Sequence, residues 1–340
     1  MKKIINYKSF LVLLALSATL VSCEMENTTG DNKYVKPVVS IDQVSASTTE
    51  GQAVTFTLTT ETPINQDLTF KLELVGGTGT FRDYETSERE TEAGDGFGKI
   101  GHIITMPAFT TTYTFDVTPL IDLKVEGTET FEFLLTSDSY ARGAVAAGSD
   151  KISITVADYV SNDIGIELDW TQGFADSFGT LDVGTYTGAD DNQHAYADYD
   201  FDFYVFDSAF NEVSGFAAAT GAAPEMAVLD ALTLADGVYE IYADKYANAP
   251  SAPAGVLQLP MTLTVSKFGT WSKVIDVDYY TSNTPESAPN GLAGGEFLVA
   301  KFTKTGTTYT LNDPDTNDVL AQGRLAQAKK AIKNLKKNKK

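Results

Sequence analysis

The chain has 340 residues, one cysteine, two histidines and a net charge of −21 at neutral pH. One cysteine rules out an internal disulfide, and acid at this level argues against nucleic acid as a partner, because phosphate would be repelled. The charge is unevenly spread: residues 1–22 carry +3 and residues 324–340 carry +8, leaving −32 on residues 23–323.

At the N-terminus, Lys2, Lys3 and Lys8 precede an apolar run from Phe10 to Val21. That run is short for a membrane span and has the build of a secretion signal, so residues 1–22 read as a signal peptide. It ends in Leu20-Val21-Ser22-Cys23, which resembles the bacterial lipobox. The resemblance implies cleavage before Cys23 and acylation of its thiol. Two or more acyl chains hold a protein durably on a bilayer, at roughly 0.8 kcal/mol per buried methylene. Residues 23–37 follow as a polar tether with no apolar period. Glu24 and Glu26 within it resemble the export tag of surface lipoproteins. The expected address is the outer membrane, lipid-anchored and facing outward.

From Val38 to Asp158 the pattern has period two, as in Val54-Phe56-Leu58, Phe70-Leu72-Leu74, Phe131-Phe133-Leu135 and Ile152-Ile154-Val156. Such runs, broken by Gly, Asn, Asp and Pro clusters, predict about seven half-buried strands packed as an antiparallel sandwich. Residues 85–99 break the rhythm and read as a long polar loop. Residues 119–137, "PLIDLKVEGTETFEFLLTS", carry four acids. Glu132 falls opposite Phe131 and Phe133 and reads as solvated. Asp122, Glu126 and Glu129 fall in or beside one turn, where they converge.

"EGQAVTFTL" (50–58), "FRDYE" (81–85), "VEGTETFEF" (125–133) and "ISITVAD" (152–158) together resemble a Calx-beta domain. The resemblance implies an immunoglobulin-like sandwich over residues 38–158 that holds calcium at one end through carboxylates. Its implied ligands are Glu50, Asp83, Asp122, Glu126, Glu129 and Asp158. Calcium takes about six to eight hard oxygen ligands, which suits such a set. Two departures stand out: Leu123 occupies a position where a second aspartate is common, and Ala157-Asp158-Tyr159 replaces an acidic run.

A second all-β unit is predicted over residues 161–323, with strands at 200–207, 237–244, 259–266 and 295–304. It resembles the bacterial pre-peptidase C-terminal module, which implies a jelly-roll-like sandwich that binds or stabilises. Asp200, Asp202 and Asp207 read as the wet face of a strand. Residues 313–318, "DPDTND", read as an Asx/Pro turn because the glycine and glutamate of a calcium loop are missing. Trp170, Trp271, Tyr242, Tyr246, Tyr279 and Tyr280 are set mostly to core packing, with a sugar-stacking platform as the functional alternative. Residues 324–340 have the spacing of a basic amphipathic helix.

Catalysis finds no support, since His102 and His194 fall in different units and no Gly-x-Ser-x-Gly elbow occurs. The expected function is a lipid-anchored binding or adhesion protein with a structural calcium ion. An extracellular protein or a glycan is its expected ligand. Glycan capture beside an importer is the first alternative, and a hydrolase the second.

Overall fold

Val54–Thr60 shows how the sequence makes this fold: valine, phenylalanine and leucine at alternate positions are buried, while the threonines between them mostly face outward. One face of such a strand must find another apolar face, and two sheets supply it. The computed structural model describes residues 36–91, 99–137, 142–175, 181–213, 218–286 and 295–323. Cys23, the tether up to residue 35 and the basic tail 324–340 lie outside the described residues.

The first sandwich is built from β1 (Val38–Ile41), β2 (Ser45–Thr49), β3 (Val54–Thr60), β4 (Leu68–Gly77), β5 (Tyr84–Thr86), β6 (Arg89–Glu90), β7 (His102–Met106), β8 (Thr112–Pro119), β9 (Thr128–Ser137), β10 (Ala144–Val145) and β11 (Lys151–Ala157). One sheet runs β10-β1-β3-β8-β5 and the other β2-β11-β9-β4-β7-β6. Two pairings are parallel, β1 with β10 and β2 with β11; the rest of these ladders are antiparallel. Between the sheets Phe56, Phe70, Phe115, Phe131, Phe133, Ile152 and Ile154 close the core. Each contributes about 1.5–3 kcal/mol by leaving water.

Strand pieces outnumber the expected seven because β1 and β2 split one N-terminal segment between the two sheets, and short edge strands flank both. The predicted loop at 85–99 is one source of those edges. β5 and β6 pair with β8 and β7 there, and only residues 92–98 fall outside the described residues.

The second sandwich follows with β12 (Ile164–Asp169), β13 (Phe174–Ala175), β14 (Leu181–Asp182), β15 (Thr185–Thr187), β16 (Gln193–Ala195), β17 (Asp200–Asp207), β18 (Glu225–Leu229), β19 (Gly237–Ala247), β20 (Thr262–Lys267), β21 (Trp271–Asp276), β22 (Glu296–Thr305), β23 (Thr308–Asn312) and β24 (Val319–Gly323). A four-stranded sheet, β18-β12-β20-β21, faces a five-stranded one, β17-β19-β22-β23-β24. Trp170, Phe201, Phe203, Tyr280, Phe302 and Tyr309 fill the space between, and this core shares no residue with the first. The fold is therefore all-β, two sandwiches in series.

The bridge between them is the stretch after Ala157. Tyr159 packs edge-on against Phe268 of the second sandwich, with centroids 5.6 Å apart. Leu123 of the first sandwich is buried at 5% exposure. Its side chain lies so close to Gly165 on β12 that a Cβ there would stand 2.2 Å from it. Leu123, the residue that displaces an expected aspartate, thus serves packing between sandwiches.

Candidate metal centre

Glu129 lies in phase with Phe131, Phe133 and Leu135, so the pleat of β9 turns its carboxylate toward the core side at the open end of the sandwich. It is buried, as is Glu50 at the turn between β2 and β3. Glu126 is exposed and reaches in from the segment that leads to β9. Each glutamate offers an oxygen, and the three oxygens lie within 4.8 Å of one another. Two oxygens on opposite sides of one calcium ion stand about 5 Å apart, so these three fit a single coordination sphere. Glu50 and Glu126 each precede a glycine of positive φ, Gly51 at 76° and Gly127 at 86°. Those left-handed residues turn the chain sharply just after each carboxylate.

The aspartates stand around this centre with prior engagements. Asp83 accepts the Thr80 amide at 2.6 Å and closes a turn. Asp122 accepts the Lys124 amide at 2.7 Å. Asp158 accepts the Gly127 amide with both oxygens, at 3.0 and 3.1 Å, and so ties the end of β11 to the Glu126 turn. Among the three glutamates, Glu50 accepts the Tyr159 amide at 2.9 Å. Sequence reasoning thus names six residues, of which the structure brings oxygens of three within 4.8 Å of one another and sets the other three beside them.

Electrostatics shows the cost of the arrangement. Burial pushes the Glu50 carboxyl up to about 7, and Asp122, Asp158 and Glu129 add repulsion against the relief given by the Tyr159 amide. Glu129 is pushed up to about 7 by burial and by Glu126, Asp83 and Asp122. Burial raises Glu126, Asp122 and Asp158 as well, with neighbouring carboxylates adding to the rise. The set behaves as one coupled group of like charges.

Lys124, which sequence reasoning passed over, is a cation beside the centre, its Nζ 3.7 Å from Asp122. Its side chain is 61% exposed, so it screens only weakly. Glu167 on β12 also rises, through burial and then repulsion from Asp169 and Asp122, which shows how near the second sandwich comes. A cavity of about 410 Å³ opens there, lined by Asp83, Asp122, Leu120, Glu167, Met226 and Val274 among others.

Other predicted features fall as follows. Glu132 is exposed. Asp313 accepts the Asp315 and Thr316 amides, an Asx turn. Asp202 does not lie on a wet face: it is 5% exposed, directly across from Asp244, and its carboxyl rises to about 6 through burial. Trp170 and Tyr280 are core, whereas Tyr279 and Tyr246 are exposed. His102 Nδ1 lies 2.9 Å from Thr86 Oγ1, and His194 Nε2 lies 3.0 Å from Asp190.

No family model matches the chain, and no curated protein matches it. Among solved structures it is similar to the apo-form Calx CBD1 domain, at 12% identity and a TM-score of 0.24, over 36% of this chain and 97% of that one. It is similar to the calcium binding domain CBD12 of CALX1.1, at 9% identity and a TM-score of 0.24, over 60% and 79% of the two chains. A third likeness is to a chaperone-tip adhesin complex of CFA/I fimbriae, at 9% identity and a TM-score of 0.23, over 67% and 98%.

Proposed function

We propose that this chain is a lipid-anchored binding protein of the outer cell envelope whose first sandwich takes a calcium ion at the end that meets the second. The observation that carries the calcium reading is the meeting of Glu50, Glu126 and Glu129 oxygens within 4.8 Å, two of the three side chains being buried. Those three would hold the ion, with Asp122 and Asp158 beside them. A bound calcium supplies two positive charges where the fold has gathered only negative ones.

The site's own residues tell what binding would do. Glu50 holds the Tyr159 amide, and Tyr159 packs on Phe268, so order at the glutamates passes directly to the bridge between sandwiches. Asp158 and Asp122 flank the same bridge. Neutralising the cluster therefore stiffens the junction and fixes how a ligand-binding surface is presented. In this reading the anchor is a lipid on Cys23, the role is binding and not catalysis, and the surface faces outward. The signal, the lipobox-like end and the −32 body support it.

The test is thermal unfolding of the full chain in chelator and in millimolar calcium. At about a hundredfold excess over the dissociation constant, calcium adds about 2.7 kcal/mol, or roughly 8 °C in a domain of this size. Glu129→Gln removes most of that gain. An identical midpoint in both conditions would end the calcium reading. Membrane fractionation of Cys23→Ala tests the anchor, the expected result being release of the chain.

A further inference from the structure

On the five-stranded sheet of the second sandwich, Phe201, Phe203 and Val205 point into the core, so Tyr204 and Phe206 point away from it. Tyr242 does the same on β19 and is the direct cross-strand partner of Tyr204. Phe206 meets Tyr242 edge-on at 5.6 Å. After β17 the chain folds back and lays Phe210 flat on Phe206, with centroids 4.6 Å apart and planes within 5°. Phe210 also meets Tyr242 edge-on at 5.8 Å. Four rings thus form one outward-facing cluster.

Phe210 is the exceptional member. It is 62% exposed and has φ of 62°, a left-handed backbone that a bulky side chain rarely adopts. Asp207 enforces that turn by accepting the amides of Ala209 at 2.9 Å and Asn211 at 2.8 Å. Asparagine or glycine would sit in this conformation with less strain, yet the position carries a phenyl ring whose outer face is open. Strain held in place at an exposed aromatic points to contact with something.

The surroundings narrow what that something is. The Tyr242 hydroxyl donates to Glu240 at 3.1 Å, and Glu240 pairs with Lys301 at 3.1 Å. The Tyr204 hydroxyl donates to Asp202 at 3.0 Å. Asp202 is buried and belongs to the fold, whereas the partly exposed Glu240–Lys301 pair puts one acceptor and one ammonium donor at the edge of the aromatic floor, which matches a ligand that has an apolar face and a rim of hydroxyls. The −32 of the body turns away anionic ligands and anionic lipid surfaces. The Glu240–Lys301 pair gives the rim donors as well as acceptors, which a purely cationic partner would not use.

We propose that the face formed by Tyr204, Phe206, Phe210 and Tyr242 binds neutral carbohydrate, with a pyranose ring stacked on Phe210 and its hydroxyls bonded at the Glu240–Lys301 edge. This goes beyond the calcium reading and does not depend on it.

The experiment is native electrophoresis of the full chain through gels containing β-glucan, α-glucan, mannan or xylan, followed by titration calorimetry with the polysaccharide that retards it. Retardation in at least one gel is expected, and Phe210→Ala and Tyr242→Ala each weaken binding by about tenfold. Phe210→Ala keeps its fold because the ring is a surface group, and an unchanged melt verifies this. Chelator leaves retardation unchanged, which separates this face from the metal centre. Free migration in every gel, or undiminished binding by Phe210→Ala, overturns the proposal. So does a concentration-dependent dimer that Phe210→Ala dissolves without any carbohydrate effect, since the face would then join two copies of the chain.

Discussion

Two sites, one in each sandwich, bury charge in opposite ways. In the second, Lys245 is fully buried and donates to three carbonyls, those of Thr281 at 3.3 Å, Ser282 at 3.1 Å and Thr284 at 2.9 Å, with the Tyr199 ring 5.4 Å away. Lys267 is also fully buried and donates to the Ser161 carbonyl and, at 3.4 Å, to Asn162. Each lysine brings its own solution, a ring of oxygen dipoles in place of water. At the end of the first sandwich, Glu50 and Glu129 are buried beside Glu126 and gain like charge as neighbours. The lysines are structural because they are satisfied by the chain itself. The glutamates have a single amide, that of Tyr159 on Glu50, set against burial and like charge, so a proton or a cation would relieve them.

That contrast can be broken first at Lys245. Lys245→Ala strands the buried Thr284 carbonyl and two half-buried ones, and should cost about 3 kcal/mol, read as a lower urea midpoint. The loss should be the same with and without calcium. A calcium-dependent loss would mean that the two kinds of buried charge are coupled.

The pH profile of the chelated protein gives the next largest effect. Glu50 and Glu129 titrate near 7 when folded and near 4.3 when unfolded, so the folded state holds their protons longer. Stability is full below about pH 4.3 and falls as pH rises through 7, by on the order of 2 kcal/mol. Lys267 has the opposite slope. Burial pushes its ammonium down to about 8, so stability climbs again above about pH 8 as the folded state releases that proton first. Urea midpoints across this range should pass through a minimum near pH 8, and Glu129→Gln should flatten the acid-side fall. A monotonic rise from acid to neutral pH would contradict the carboxylate arm.

The smallest effect sharpens the comparison at the rim. Lys124→Gln removes the exposed ammonium that stands 3.7 Å from Asp122. Calcium should then bind about threefold more tightly by calorimetry, in keeping with the modest strength of exposed pairs. Weaker binding would mean that Lys124 orders the site and does not compete with the ion.

Much of this was legible in the sequence where the determinants are local. "DFDFYVFD" marks β17 to the residue because aspartates at both ends bracket a short run rich in aromatic and β-branched residues. The Glu-Gly steps and the dense acid of 119–137 mark the end of the first sandwich. The inward turn of Glu129 was also written there, in its phase with Phe131, Phe133 and Leu135, a signal weaker than charge but more informative. What stayed hidden depends on residues far apart in the chain. Leu123 reads as an anomaly until Gly165 of the other sandwich comes against it. Asp202 reads as wet until neighbouring elements cover the strand, and Phe210 gains meaning only when a left-handed turn folds it onto Phe206.

The parallel pairing of β2 with β11 has a mechanical consequence. The two strands hold five partner positions, from Ser45 with Ser153 to Thr49 with Ala157. One is near the start of the sandwich and the other is its last strand, so a pull between residues 37 and 158 slides them past each other. All the rungs of that ladder then share the load at once, where an antiparallel pair peeled from its open end would separate rung by rung. Under tension the first sandwich would resist as a clamp.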